Sequence, residues 1–214
     1  VEQSTWSRVR FPESRGGALH FDHPGLRFTG CWRGTTEPIR STLLTDGDGT
    51  VQWDCLLPNT AATVSLGGDT LEGLGYVERL TLTYPPWNLP FHQIRWGRFS
   101  SASRSVIWID WQGEPSRRWV WLDGMSQQDT ILDERGLHGL QSQDGTLSLD
   151  LTEERNVRNS RALQALSRRL PLVESLPLGP LRNLRETKRL ARGTLRQGRT
   201  AVDEGWVIHE EVSW

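Results

Sequence analysis

The chain has 214 residues, with 25 Lys and Arg against 26 Asp and Glu and a formal net charge of −1. That length holds one large β domain with a full core or two small domains, and the near-neutral charge argues against nucleic acid or a polybasic membrane contact as partner. No apolar run reaches membrane-spanning length and no secretory leader opens the chain, so the expected location is the cytoplasm, although a start at Val1 rather than Met leaves a trimmed targeting segment open.

From about residue 5 to 155, short β-like runs alternate with Gly, Asp, Asn or Pro punctuation, the pattern of an antiparallel sandwich or barrel. In chain order these runs are 25–33, 39–44, 49–57, 62–66, 73–84, 93–100, 105–112, 117–123 and 146–154. Asp46-Gly47-Asp48-Gly49, Gly67-Gly68-Asp69, Asp123-Gly124 and Asp144-Gly145 supply the turns of hairpins. Residues 158–170 then carry helical spacing through Ala162, Leu163, Leu166 and Leu170; Pro171, Pro177 and Pro180 follow, and a basic stretch runs from Leu181 to Leu195. Residues 205–214 read as a last strand returning to the sheet. Basic residues are almost all Arg, with Lys188 the only lysine, while Cys31 and Cys55 are too few for a disulfide framework and leave one bridge open.

Period-two alternation over 74–84 puts Leu74, Tyr76, Glu78, Leu80, Leu82 and Tyr84 on one face, with Val77, Arg79, Thr81 and Thr83 on the other. Glu78 is then the only ionisable group on the apolar side. A carboxylate buried without a partner is costly, so Glu78 should be paired, protonated, or aimed into a cavity that uses it. As a desolvated acid it would donate a proton near neutral pH, with Tyr76 on the same face to orient it. As an ion pair with Arg98, beside Trp96 on the following strand, it would be a structural latch.

Eleven tryptophans in one chain of this size call for a place to put them. Trp108 and Trp111 fall on opposite faces of one strand and Trp119 and Trp121 share a face of the next, with Trp53 and Trp96 on others. Large rings fill cores and rims; collectively they also line a cavity with π faces, suited to an elongated apolar, polyene or cationic guest. The candidate ligand-binding set is Trp53, Trp96, Arg98, Trp108, Asp110, Trp119 and Trp121, where Asp110 is either a second cavity carboxylate or a strand-end cap. His20-Phe21-Asp22-His23 precedes Pro24-Gly25 and reads as a turn, and with no second ligand cluster neither a metal nor a cofactor is expected. Nucleophile-elbow, P-loop and dinucleotide fingerprints are absent from the sequence. Residues 84–91, rich in proline, form a covered hairpin or a rim over a cavity mouth.

The run Gly49-Thr50-Val51-Gln52-Trp53-Asp54-Cys55-Leu56-Leu57-Pro58, followed by Leu71-Glu72-Gly73-Leu74-Gly75-Tyr76-Val77-Glu78 and by Trp96-Gly97-Arg98, resembles the core of the carotenoid 1,2-hydratase (hydroxyneurosporene synthase) and AttH-like group. The resemblance covers roughly residues 40–125 and implies a lipocalin-like β architecture. In the hydratases it implies a motif acid that protonates an isolated alkene, aromatic neighbours that steady the cation, and water that captures it. Carried onto this chain, the acid is Glu78, the motif tyrosine Tyr76 and the upstream strand aromatic Trp53. Val51 stands where the family often has His, Glu78 precedes Arg79-Leu80-Thr81 where the family acid is usually an Asp followed by polar residues, and the hydratases are longer, with two β domains.

Together these readings predict a mainly β fold, an antiparallel lipocalin-like β-barrel with a C-terminal helical segment. The barrel covers 1–155, a helical, Pro-interrupted segment packed on it covers 156–200, and a returning strand covers 201–214, all in a single domain. The leading function is binding of an apolar small molecule of isoprenoid, lipid or pigment type. Its alternatives are a cofactor-independent hydratase, cyclase or isomerase with Glu78 as general acid, and a structural barrel with a filled core. The oligomeric state is open.

Overall fold

The computed structural model describes residues 12–34, 36–83, 88–161 and 184–213, which fall into two units, residues 1–81 and 82–214. In the first, the described strands are β1 (Glu13–Arg15), β2 (Ala18–His23), β3 (Phe28–Arg33), β4 (Ile39–Asp46), β5 (Gly49–Leu66) and β6 (Asp69–Leu82), joined in one sheet. Gly67 and Gly68 take φ of 65° and 115°, the left-handed pair that a two-residue hairpin needs, and turn β5 into β6. β4 pairs with the first part of β5, from Ile39↔Cys55 to Asp46↔Gly49, and β3 with its last part, from Phe28↔Leu66 to Arg33↔Ala61. The runs 49–57 and 62–66 are therefore one strand. Pro58, which would break a central ladder, sits in the stretch paired by neither β3 nor β4.

The second unit holds β7 (Phe91–Ser100), β8 (Ser105–Gly113), β9 (Arg117–Leu122), β10 (Met125–Gln127), β11 (Ile131–Leu132), β12 (Gly136–Ser142), β13 (Gly145–Arg161), β14 (Arg185–Gln197) and β15 (Thr200–Ser213). They form an antiparallel sheet in the order β10-β9-β8-β7-β15-β14-β13-β12-β11. Phe99, Val106, Leu122, Leu149, Leu195 and Val207 are buried together on one face, here called the inner face. Burying such side chains contributes roughly 1.5–3 kcal/mol each, less what an incompletely unfolded chain already buries.

Antiparallel β structure is as expected, but two features of the expectation are corrected. The sheet does not close into a barrel. Its end strands β10 and β11 are three and two residues long, too short to extend a ladder. The seam is instead spanned by side chains: Gln127 Oε1 accepts from Gln141 N at 2.7 Å, and Arg118 Nη1 donates to the Thr130 carbonyl at 2.8 Å. Nor is the segment 156–200 helical where it is described, because residues 156–161 continue β13 and 185–197 form β14. β14 is paired on both sides, to β13 and β15, and that ladder satisfies its backbone in a way local sequence preference cannot outweigh. Residues 162–170 of the expected helix and 84–87 of the Pro-rich loop lie outside the described residues. Among the described residues no helix is long and apolar enough to cross a membrane.

Candidate functional site

In the first unit, β5 and β6 present one pair of partners on each face. Trp53, buried on β5, donates its indole N–H to Glu78 Oε2 at 3.2 Å. On the opposite side Asp54 Oδ2 accepts from Arg79 Nη2 at 2.6 Å and Nε at 3.2 Å, while Oδ1 accepts from Gln52 Nε2 at 3.1 Å. The Arg79 hydrogen bond, helped by Gln52, holds the Asp54 carboxyl below the usual carboxylate range. Glu78 and Tyr76 are half-buried. The face that alternation assigns to Glu78 is not a buried apolar wall, since Leu74 is 49% and Leu80 55% exposed. The buried apolar groups of this unit lie chiefly on β4 and β5, among them Leu43, Leu44, Val51 and Cys55.

Two of the three family-like runs contain a glycine packed against an indole. A Cβ on Gly75 would lie 2.8 Å from the Ala62 Cβ and 3.0 Å from Trp32 Nε1, and one on Gly97 would meet the six-membered ring of Trp108. His23 belongs to a turn: its Nδ1 accepts from Leu26 N at 3.2 Å, capping a 3-10 turn at Pro24–Leu26. Cys31 and Cys55 are free thiols, so the bridge left open does not form. Among the described residues no group of three His, Cys, Asp or Glu is placed to hold a metal.

In the second unit the strand registers sort side chains into ranks across the inner face. Val207, Phe99, Val106 and Leu122 are successive cross-strand neighbours; one step along come His209, Gly97, Trp108 and Val120, and then Glu211, Arg95, Asp110 and Arg118. The face thus passes from aliphatic, through an aromatic and imidazole rank, to charged. Asp110 is buried and saturated. Arg95 donates to its Oδ2 through Nη2 (2.7 Å) and Nε (2.9 Å), Gln112 Nε2 donates to the same oxygen (2.6 Å), and Arg118 Nε donates to Oδ1 (2.7 Å). It is a clamp for three strands, neither a cavity acid nor a strand-end cap.

The remaining candidates register on the other face, with Trp96 opposite Ile109 and Trp119 next in line, and Arg98 opposite Ile107 and then Trp121. Trp119 meets Trp111 edge-on, with ring centres 5.0 Å apart. Of the predicted set, Trp53 and Glu78 meet in the first unit; in the second, Trp108 and Asp110 register on the inner face and Arg98, Trp119 and Trp121 on the other, while Trp96, of that other parity, also lines the cleft described next.

A cleft of about 450 Å³ opens in the second unit, with Trp96, Trp108, Leu132 and Leu151 as apolar lining and Arg189, His209 and Glu154 among the polar lining. His209 Nε2 lies 3.2 Å from Glu154 Oε1. Burial pushes the His209 imidazole below its usual range, against the opposing pull of Glu154. Sequence reasoning singled out none of His209, Glu154 and Arg189. The available signal was the inward parity of Val207 and His209 on the returning strand.

No family model matches the sequence, and no curated protein matches it. In structure the chain is similar to CghA, solved as a crystal structure with Sch210972, at a TM-score of 0.51 and 12% sequence identity over 92% of this chain. It spans 64% of the length of that chain. At this identity the likeness shows the β fold alone.

Proposed function

We propose that this protein binds a small organic molecule in the cleft of its second unit, as a ligand-binding protein of lipocalin-like type. The observation that carries the reading is the meeting, in one cleft, of the apolar Trp108, Leu132 and Leu151 with the polar Arg189 and His209. An isoprenoid, lipid or pigment-like body suits the apolar lining, and a polar group at one end suits the rest. CghA, similar in fold and solved with Sch210972, supports a ligand-binding use of such a fold. Titration of tryptophan fluorescence with a panel of polyenes, isoprenoids and fatty acids tests it. Saturable quenching that weakens in Trp108→Phe supports the cleft; a flat response from folded protein favours the filled interior.

One observation favours a second reading, an enzyme of hydratase, cyclase or isomerase type with Glu78 as general acid: the Trp53 indole N–H sits on the Glu78 carboxyl, joining the acid and the aromatic that the resemblance to the carotenoid 1,2-hydratases pairs. Product analysis with an isolated-alkene polyene tests it, the expected result being loss of turnover with retained binding in Glu78→Gln.

A further inference from the structure

The pair His209 and Glu154 belongs neither to the predicted set nor to the motifs that resemble the hydratases. Glu154 reaches the imidazole because β13 is bulged: Thr152 pairs with Arg192 and Arg155 with Leu190, so Glu153 and Glu154 together oppose Ala191. Glu153 takes φ of 53° there, in the left-handed region that a side chain of its kind seldom adopts. Strict alternation from the buried Leu149 would bring Glu153 to the inner face, whereas the bulge brings Glu154. Backbone held in a sparsely populated conformation, with the effect of setting one carboxylate against one imidazole in a cleft, is a feature that packing alone does not require.

The surroundings complete a site. His209 Nε2 is shielded from solvent and faces Glu154 Oε1 at 3.2 Å. Arg189, the cross-strand neighbour of His209, approaches Glu154 at 3.9 Å and Glu211 at 4.0 Å, both beyond hydrogen-bond length. Among the described residues these two ion pairs leave its donors without a hydrogen bond, placed to serve a ligand. On the other side of His209, across Gly97, lies the Trp108 ring.

We propose that His209, oriented by Glu154, is the general base of a proton-transfer site whose substrates are flat, conjugated carbonyl or heteroaromatic compounds with an acidic C–H. This rests on the cleft being a ligand site, as argued above. In the step, the C–H bond breaks and its proton passes to Nδ1, the nitrogen away from Glu154. The electron pair moves through the conjugated system to its oxygen, whose charge Arg189 stabilises. Return of the proton to a second carbon yields an isomer, and no oxidant, reductant or water is consumed.

The charged groups about His209 are Glu154 from β13, Arg189 from β14, Glu210 and Glu211 on its own strand, Arg95 from β7, and Asp133 and Glu134 beyond β11; Glu210 is paired with Lys188. Arg95 shares the Asp110 carboxylate with Arg118. Burial outweighs the acidic neighbours and keeps the imidazole unprotonated near neutral pH, the form that accepts a proton.

The test uses 5-nitrobenzisoxazole, a flat heteroaromatic whose C–H is removed by a base as its N–O bond breaks, releasing a coloured cyanophenolate. Wild type should turn it over saturably, about a hundredfold or more faster than His209→Gln. Glu154→Gln should lower kcat at unchanged KM and move the acid limb of the pH–rate profile to lower pH, which a merely structural role would not do. Tryptophan quenching by the same compound separates the two levels of the argument. Quenching with equal rates in wild type and His209→Gln overturns the general base and leaves the binding site standing. Absence of quenching overturns the proton-transfer site, while binding of an apolar molecule stands or falls on the polyene, isoprenoid and fatty-acid panel. Should His209→Gln fail to fold, a wild-type rate that does not titrate as a single histidine overturns the proposal by itself.

Discussion

Gly97 lies beneath the indole of Trp108, its neighbour across the β7–β8 ladder. A methyl group there would occupy space already held by Cζ2 and Cε2 of the ring, and Trp108 belongs to the packed core of its unit. Gly97→Ala should therefore cost about 1–3 kcal/mol through overpacking. Urea denaturation measures it. Gly47→Ala, where an added methyl meets nothing within 4 Å, should be close to neutral, and equal losses in the two variants would contradict the account.

Asp110→Asn should be more damaging than its small change in shape implies. The Asp110 side chain is 3% exposed, and Arg95 and Arg118, each 29% exposed, would lose the charge that compensates them. The expected loss is about 3 kcal/mol by chemical denaturation, with solvent screening of the two guanidinium groups acting to reduce it.

The Asp54–Arg79 pair has a defined pH signature. Asp54 ionises below the ordinary aspartate value of 3.8 in the folded protein, so the unfolded chain binds the proton more readily. The stabilisation is present above the unfolded value and is lost as pH falls through the folded one. Asp54→Asn should flatten that acid limb of the stability curve, and a limb unchanged in the variant would show that other carboxylates govern it.

His209 acts in the same sense at higher pH. Its folded pKa lies below 6.5 because burial disfavours the imidazolium. The stability associated with the neutral ring is therefore complete above the unfolded value and declines as pH falls through the folded one. Thermal denaturation from pH 8 to pH 5 should show this decline in wild type and a smaller one in His209→Gln.

Gln127→Ala should loosen the seam of the nine-stranded sheet. It removes the acceptor of the Gln141 N–H, at a cost of about 1 kcal/mol. Hydrogen exchange at the Gln141 amide should accelerate while amides of β8, paired on both sides, keep their protection.

Much of the fold was legible because its signals are local. Alternation located β4, β8 and β9, and paired Gly and Asp residues located the hairpin turns. What escaped depends on residues far apart in the chain. β14 is a strand because β13 and β15 flank it, and nothing within residues 185–197 announces those partners. Alternation correctly grouped the side chains of β8 and β9 by face, but it does not say which faces are covered, so Leu74 and Leu80 were assigned to an interior they do not enter. Asp110 was recognised as unusual, yet its clamp needs the register of Arg95 and Arg118. Glu154 was hidden for another reason: one extra residue at the bulge reverses the parity on which such readings depend.

The bulges of β13 also govern dimensions. Between the pairs Ser148↔Arg196 and Arg161↔Arg185, residues 148–161 of β13 run beside only residues 185–196 of β14, and the surplus is absorbed at two register shifts near the cleft. A longer strip joined edge to edge with a shorter one must bow, as fabric does when a seam is eased. The curvature of this wall, and with it the room left for a guest, is consequently encoded in backbone length as well as in the choice of lining side chains. Shortening β13 by Glu153 alone would keep Glu154 opposite Ala191 while flattening the wall, which offers a way to resize the cleft without altering its chemistry.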